Sequence, residues 1–306
     1  MSDQQLKKRF KLNWTVEEKE NEMLLRDFLS ANSISRRALT DIKFKGGLIT
    51  LNGSVVNVRE RLRTGDRIEL IFPREIPSEG LLAEDLPIEI LFEDSNLLVI
   101  HKPAGMTTIP SREHPSGSLA NALAGYYKQS GLEATIHIVT RLDRDTSGLI
   151  LVAKHRHIHH LLSQQQKTGL VKRRYQAIAE GIMMTDQGKI EEPIGRKPTS
   201  IIEREVRNDG QYACTYYSVA ARTMKHTHLE IRLKTGRTHQ IRVHMSHAGH
   251  PLAGDDLYGG HTDCIKRQAL HCCCLDFIHP VTHQKMQFTQ EIPEDMRKLL
   301  VTDRQV

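Results

Sequence analysis

The sequence predicts an α+β protein in two units: a small α+β module over residues 13–73, then a mixed α/β domain over 88–302 built on a largely antiparallel sheet. Three observations carry that expectation. Between Asn21 and Lys45 the apolar residues recur at helical spacing, and around Asn52-Gly53 they switch to short strand-like runs. The stretch PREIPSEGLLAEDLP, from Pro73 to Pro87, is rich in Pro, Gly and acidic residues and has no period, which makes 74–87 a linker. Beyond it, strand-like and helical stretches alternate in mixed order. At 306 residues the chain also exceeds the usual size of one small domain.

In the first unit, Leu24, Leu25, Phe28 and Leu29 form one apolar stripe between Asn21 and Asn32, as in an amphipathic helix. Ser33 or Ser35 can cap a second helix that runs to about Lys45 and exposes Arg36, Arg37 and Lys43. After Gly46-Gly47, the runs LITL and VVNV flank Asn52-Gly53, a pair that favours a type I′ hairpin turn. Thr64-Gly65-Asp66 turns the chain into a last strand, RIELIF. Charge concentrates here. From Ile34 to Arg63 seven cations (Arg36, Arg37, Lys43, Lys45, Arg59, Arg61, Arg63) face two anions (Asp41, Glu60), a net +5 in a chain whose formal charge is +6. Such a face is either solvated surface or a footprint for nucleic acid, and composition leaves the two open.

In the second unit the strand-like runs are ILFEDSNLLVIHK, GLILVAK, KRRYQAIAEG, THLEIRLK and KMQFTQ. The helical stretches are SLANALAGYYKQ, RHIHHLLSQQQ and THQIRVHMSHA. In the last of these Thr238 can cap a helix ending at Gly249, with Ile241, Met245 and Ala248 as its buried stripe and Arg242 facing elsewhere. His155-x-His157-x-His159-His160 places His155 and His159 on one helical face, but no acidic third ligand lies nearby. A surface or RNA-facing helix is expected there, and no metal. The five cysteines include no C-x-x-C pair, and adjacent residues of the run Cys272-Cys273-Cys274 point to opposite faces of a strand, so reduced structural thiols are expected. No apolar run reaches eighteen residues and the start MSDQQLKKRFKLNW lacks an apolar block, so a soluble cytoplasmic protein without membrane attachment is expected.

The stretch most informative about chemistry is IVTRLDRDTSGLILVAK, Ile138 to Lys154. A charged loop runs straight into an apolar strand, so Arg141, Asp143, Arg144 and Asp145 sit at the edge of the core. Their desolvation is costly unless they pair or perform chemistry. A tight turn explains the same Asp, Thr, Ser and Gly equally well, and the residues alone do not choose.

Arg141-Leu142-Asp143-x-x-Thr146-Ser147-Gly148 resembles the catalytic signature of the RluA-type pseudouridine synthases. Three further segments resemble that family in order: Asn96 to Met106 (NLLVIHKPAGM), Lys172 to Ala177 (KRRYQA), and Leu233 to His244 (LKTGRTHQIRVH) continuing through Gly249-His250-Pro251-Leu252-Ala253-Gly254-Asp255. A closing pattern follows at Arg267 to His271 and Leu275 to Pro280, so the resemblance spans about Leu91 to Pro293. It implies Asp143 as catalytic carboxylate, Tyr175 as the active-site tyrosine and Arg242 as the cation that keeps Asp143 ionised and aimed. It also implies Arg141 as a wedge for a uridine that must leave its stack. A histidine usually precedes that arginine in the family; here the residue is Thr140. The first unit, about Met23 to Phe72, resembles the S4 RNA-binding domain in LLRDFL, ISRRALTDIKFKGG, LITLNGSVV and TGDRIEL. That resemblance implies RNA contacts at Arg36, Arg37, Lys43 and Lys45.

The expected activity is isomerisation of uridine to pseudouridine in structured RNA, foremost large-subunit ribosomal RNA, by a monomer that needs no cofactor. Transfer RNA as substrate, or a noncatalytic RNA-binding assembly factor using the first unit alone, are the alternatives.

Overall fold

The computed structural model describes residues 9–78, 80–111 and 114–302. The first unit runs β1 (Lys11–Thr15), α1 (Leu25–Ala31), α2 (Arg36–Phe44), β2 (Leu48–Leu51), β3 (Ser54–Val55) and β4 (Arg67–Ile71). Its four strands are antiparallel in the order β1-β4-β2-β3. Leu25, Phe28 and Leu29 of α1 are buried against Ile42, Ile49, Ile68 and Leu70. Ser35, not Ser33, caps α2 by accepting the Ala38 N–H at 3.1 Å. Asn52 and Gly53 both have positive φ, 50° and 82°, as the two-residue turn requires. The edge strand β1, in KLNWT, has no counterpart in the expectation from sequence: its alternation is short, and distant partners fix it, β4 by pairing and Phe28 by edge-on packing against Trp14 at 5.9 Å.

The second unit comprises β5 (Glu89–Glu93), β6 (Leu97–Lys102), α3 (Leu119–Ser130), β7 (His137–Ile138), β8 (Ser147–Ala153), α4 (Arg156–Lys167) and β9 (Lys172–Glu180). It continues with β10 (Gln187–Ile190), β11 (Ile194–Arg196), β12 (Arg204–Val206), β13 (Thr215–Arg222), β14 (His226–Leu233) and α5 (Gln240–His247). β15 (Leu270–Ile278), β16 (Lys285–Thr289) and α6 (Glu294–Thr302) complete it. A ten-stranded sheet in the order β10-β13-β14-β9-β15-β8-β6-β5 carries β16 on β15 and β7 on β8. Among the described residues only the β15/β8 pair is parallel. The α+β class expected from sequence, with its largely antiparallel sheet, is the one observed.

The central strands explain the apolar runs. All seven residues of β8 are buried, because sheet neighbours and both faces enclose it. ILFEDSNLLVIHK is two antiparallel strands: Asp94 accepts the N–H groups of Asn96 and Leu97 at 2.7 and 2.8 Å and reverses the chain between β5 and β6. Cys272 and Cys274 are buried and Cys273 less so, but a bulge between Cys272 and Cys274 breaks simple alternation. The described residues between β4 and β5 form no regular structure, yet side chains tie this stretch down: Asn121 donates to Leu82 O at 2.9 Å, and Glu84 accepts the Gly117 N–H at 2.7 Å. Among the described residues no helix is long and apolar enough to cross a membrane.

Gly148 lies where β8 and β15 meet, paired with Cys272, at φ +120°. A Cβ there would fall 2.3 Å from Cys272 O, against backbone that has nowhere to move. Gly148→Ala is therefore expected to cost about 3 kcal/mol or more. Gly131→Ala, at φ +67° in open space, is the control and costs about 1 kcal/mol for backbone strain alone. Urea midpoints of the two variants check the difference.

Candidate active site

The loop Thr140 to Thr146 enters β8 under tight backbone restraint. Thr140 Oγ1 accepts the Leu151 N–H at 3.0 Å, which fastens the start of the loop to β8. Thr108 holds Leu142 from both sides, donating to its carbonyl at 2.6 Å and accepting its N–H at 3.2 Å. Thr146 N–H donates to Asp143 O at 3.2 Å and closes the turn. Beneath it, Lys102 is fully buried and its Nζ donates to Pro103 O, Met106 O and Arg144 O at 2.7, 2.8 and 2.9 Å. Burial pulls its pKa down to about 7 against the opposing charges of Asp145 and Asp143. Three carbonyl acceptors match the three donors of an ammonium, so the bound geometry is that of the charged form.

α5 supplies the other wall. It starts one residue later than Thr238 capping would have it: His239 occupies the N-cap position with φ 55°, ψ 20°, and its side chain makes no cap bond. Gln240 anchors the turn instead. Its amide accepts from Arg237 N and Thr235 Oγ1 and donates to Cys214 O and Thr215 Oγ1, which satisfies all four of its hydrogen-bonding positions. Gln240 through Met245 are buried while Ala248 is exposed, so the stripe expected from sequence is corrected at Ala248 and at Arg242, which faces inward.

That inward guanidinium organises the site. Arg242 Nε and Nη2 donate to the two oxygens of Asp255, both at 2.7 Å, and Nη1 lies 3.4 Å from Asp143 Oδ2. Its Cζ sits 4.8 Å from the centre of the Tyr258 ring. Burial alone would lower the Arg242 pKa, but the hydrogen bonds and charge of Asp255, with Asp143, hold it above the ordinary value. His239 Nε2 is 4.0 Å from Asp143 Oδ1, and its Nδ1 is 2.8 Å from Tyr258 Oη.

Asp143, Tyr175, Arg242 and Arg141 line one cleft of about 90 Å³, together with Arg173, Arg237, His239 and Leu142. This volume is far below that of a drug-sized ligand site and suits one flat ring. Tyr175 is 4% exposed at its floor, and burial raises its phenol pKa. Arg173 lies over the Tyr175 ring at 5.8 Å and donates to Arg141 O at 3.3 Å. Arg141 is exposed at the rim. Asp255, Tyr258, His239 and Lys102 were not singled out from sequence. Asp255 stands in a segment that resembles the family, and a buried bidentate partner was the missing signal.

Arg36, Arg37, Lys43 and Lys45 lie elsewhere, exposed on or just after α2. Lys45 pairs with Asp41 at 2.7 Å. Arg37 and Lys45 line a larger cavity, about 1060 Å³, between the first unit and the start of α4. There the histidine run is corrected: it packs inward. Phe10 stacks on His155 at 4.3 Å and Phe72 on His157 at 5.1 Å. Among the described residues no group of three or more His, Cys, Asp or Glu side chains is arranged to hold a metal ion.

Burial pulls His155 and His157 down to about 4. Their unfolded value is near 6.5, so below it the unfolded chain binds more protons and stability falls. The contribution is whole above about pH 6.5 and declines down to about pH 4. For His157, only 5% exposed, it amounts to about 3 kcal/mol. His157→Phe is expected to flatten the loss, read as urea midpoints at pH 7 and pH 4.5.

Residues 96–247 match the family described as RNA pseudouridylate synthase. The uncharacterized RNA pseudouridine synthase YjbO of Bacillus subtilis is 52% identical over 278 residues, 91% of this chain and 98% of that one. Ribosomal large subunit pseudouridine synthase D of Pseudomonas aeruginosa is 39% identical over 275 residues, 85% of each chain. Among solved structures, human RNA pseudouridylate synthase domain containing 4 superposes with a TM-score of 0.57 at 22% identity, covering 71% of this chain and 93% of that one, which shows a shared fold. With half its residues shared along almost the whole length of one such protein, this chain belongs to the RNA pseudouridine synthases, isomerases that act on RNA.

Proposed function

We propose that the protein converts specific uridines of large-subunit ribosomal RNA to pseudouridine, with Asp143 as catalytic carboxylate. The observation that carries the reading is the meeting of Asp143, Tyr175 and Arg242, from β8's loop, β9 and α5, in one ring-sized cleft. The likeness to the Pseudomonas aeruginosa enzyme supports the choice of RNA.

A base inside folded RNA is out of reach, so the uridine leaves its stack at a cost of a few kcal/mol. Arg141 at the rim occupies the vacated space, and the Tyr175 ring supports the uracil face. Asp143, held by Arg242, assists cleavage of the N1–C1′ bond. The freed uracil turns within the cleft, C5 bonds to C1′, and the proton lost from C5 is balanced by the one gained at N1. No electrons are exchanged, so the reaction needs no redox cofactor.

The first unit is an S4-like RNA-binding domain in this reading, with Arg36, Arg37, Lys43 and Lys45 contributing phosphate contacts. Phosphate contacts position the enzyme without reading sequence. Comparing pseudouridine maps of total RNA with and without the gene tests the proposal. Loss of sites confined to large-subunit ribosomal RNA is the expected result; loss confined to transfer RNA would refute the substrate, and no loss would refute the reaction.

A further inference from the structure

We infer that His239 is a positioning residue for the reaction, presenting an Nε2–H to Asp143 Oδ1 in a tautomer set by Tyr258. The inference rests on the assignment of Asp143 as catalytic carboxylate.

The backbone gives the first indication. His239 is held at φ 55°, ψ 20°, a conformation that glycine or asparagine adopts with far less strain. As a cap it offers no side-chain bond to the helix. Its carbonyl accepts the Val243 N–H at 2.9 Å, but a strained residue whose side chain does nothing for the helix it begins is a candidate for duty elsewhere.

Hydrogen bonding gives the second. Tyr258 Oη accepts the Arg204 N–H at 3.0 Å and lies 2.8 Å from His239 Nδ1. In the proposed arrangement the phenol donates to Nδ1, which leaves the single proton of a neutral imidazole on Nε2. Burial keeps the ring neutral by lowering its pKa, against the pull of Asp143. Nε2 then faces Asp143 Oδ1 at 4.0 Å, while Arg242 faces Oδ2 at 3.4 Å.

The carboxylate is thus addressed from two sides, by a cation at one oxygen and a neutral donor at the other. Both contacts are long, as catalytic hydrogen bonds often are before substrate enters. Two donors stop the soft rotation of a carboxylate about its last bond and decide which oxygen meets the ribose. Arg242 alone leaves that rotation open.

Single-turnover rates, RNA affinity and melting temperature of the full chain test this. His239→Gly relieves the backbone, so it should melt at or above the wild type and bind RNA within about twofold, yet react about 10- to 100-fold more slowly. His239→Gln, whose amide N–H reaches the position of Nε2, should recover most of the rate. Tyr258→Phe should slow the reaction about as much as His239→Gly, and the double variant no further. A glycine variant at the wild-type rate overturns the inference, as does a glutamine variant as slow as glycine. Asp143→Asn is run alongside: full activity there removes the carboxylate assignment itself, whereas a dead Asp143→Asn beside a fully active His239→Gly removes His239 alone.

Discussion

Asp143→Asn is expected to leave folding and RNA affinity unchanged and to lower the rate of pseudouridine formation by about four orders of magnitude or more. The amide keeps the shape of the carboxylate, and the restraints on the loop do not pass through it. Thr108 grips Leu142, Lys102 grips Arg144 O, and Thr146 bonds the Asp143 carbonyl. Arg242 keeps its bidentate partner Asp255, so no charge is stranded in the core. What disappears is the anion 28% exposed in the cleft, the group proposed to act on the sugar. Pseudouridine mapping in a deletion strain carrying wild type or variant, with RNA binding measured on the purified proteins, checks both halves. Restoration of the modified base by the variant would remove Asp143 from its role.

Asp255→Ala should do the opposite to stability. Asp255 is 1% exposed, and both its oxygens are committed to a guanidinium that is itself buried. Removing one partner of such a pair costs about 3 to 5 kcal/mol, because the buried guanidinium then keeps only the longer contact to Asp143 at 3.4 Å. The rate also falls, by about 100-fold at a temperature where the variant is still folded, since Arg242 is no longer aimed at Asp143. Urea unfolding and single-turnover kinetics separate the two effects. A variant as stable as wild type would show that Arg242 finds another partner.

Much of this architecture was legible from the sequence. The stripe of α1, the Asn52-Gly53 turn, a serine cap on α2 and the buried run of β8 each follow from local rules, though not the choice of Ser35 over Ser33, and local rules hold where one element decides its own form. Legibility fails where a distant partner decides. β1 is a strand because β4 lies beside it, and β10 and β13 escape notice for the same reason. α4 reads as a polar, histidine-bearing surface until Phe10 and Phe72 cover it. In the cleft, Asp143, Tyr175 and Arg242 were found through residues that resemble a family, since no spacing rule joins positions so far apart. Asp255 and His239 act through Arg242 and Asp143, and such side-chain contacts leave no periodic trace. Lys102 is a further case: a lysine reads as solvent-facing, and only the three carbonyls converging on it make burial tolerable.

Among the described residues, the one parallel pairing in the large sheet joins Ser147 and Gly148 to His271 and Cys272. Parallel neighbours need a long crossover, and here more than a hundred residues intervene before the Ser147–Gly148 end of β8 gains its second neighbour, β7 having already paired with the far end at Val152 and Ala153. Loop closure of that length must precede any reward from the contact, which makes it a late event in folding. During synthesis, the segment bearing Asp143 emerges well before the strand that supports it, so in chains arrested ahead of Leu270 the second unit should be readily digested by protease and unable to form pseudouridine. Competence therefore waits for β15, and the nascent enzyme is silent until that strand has emerged.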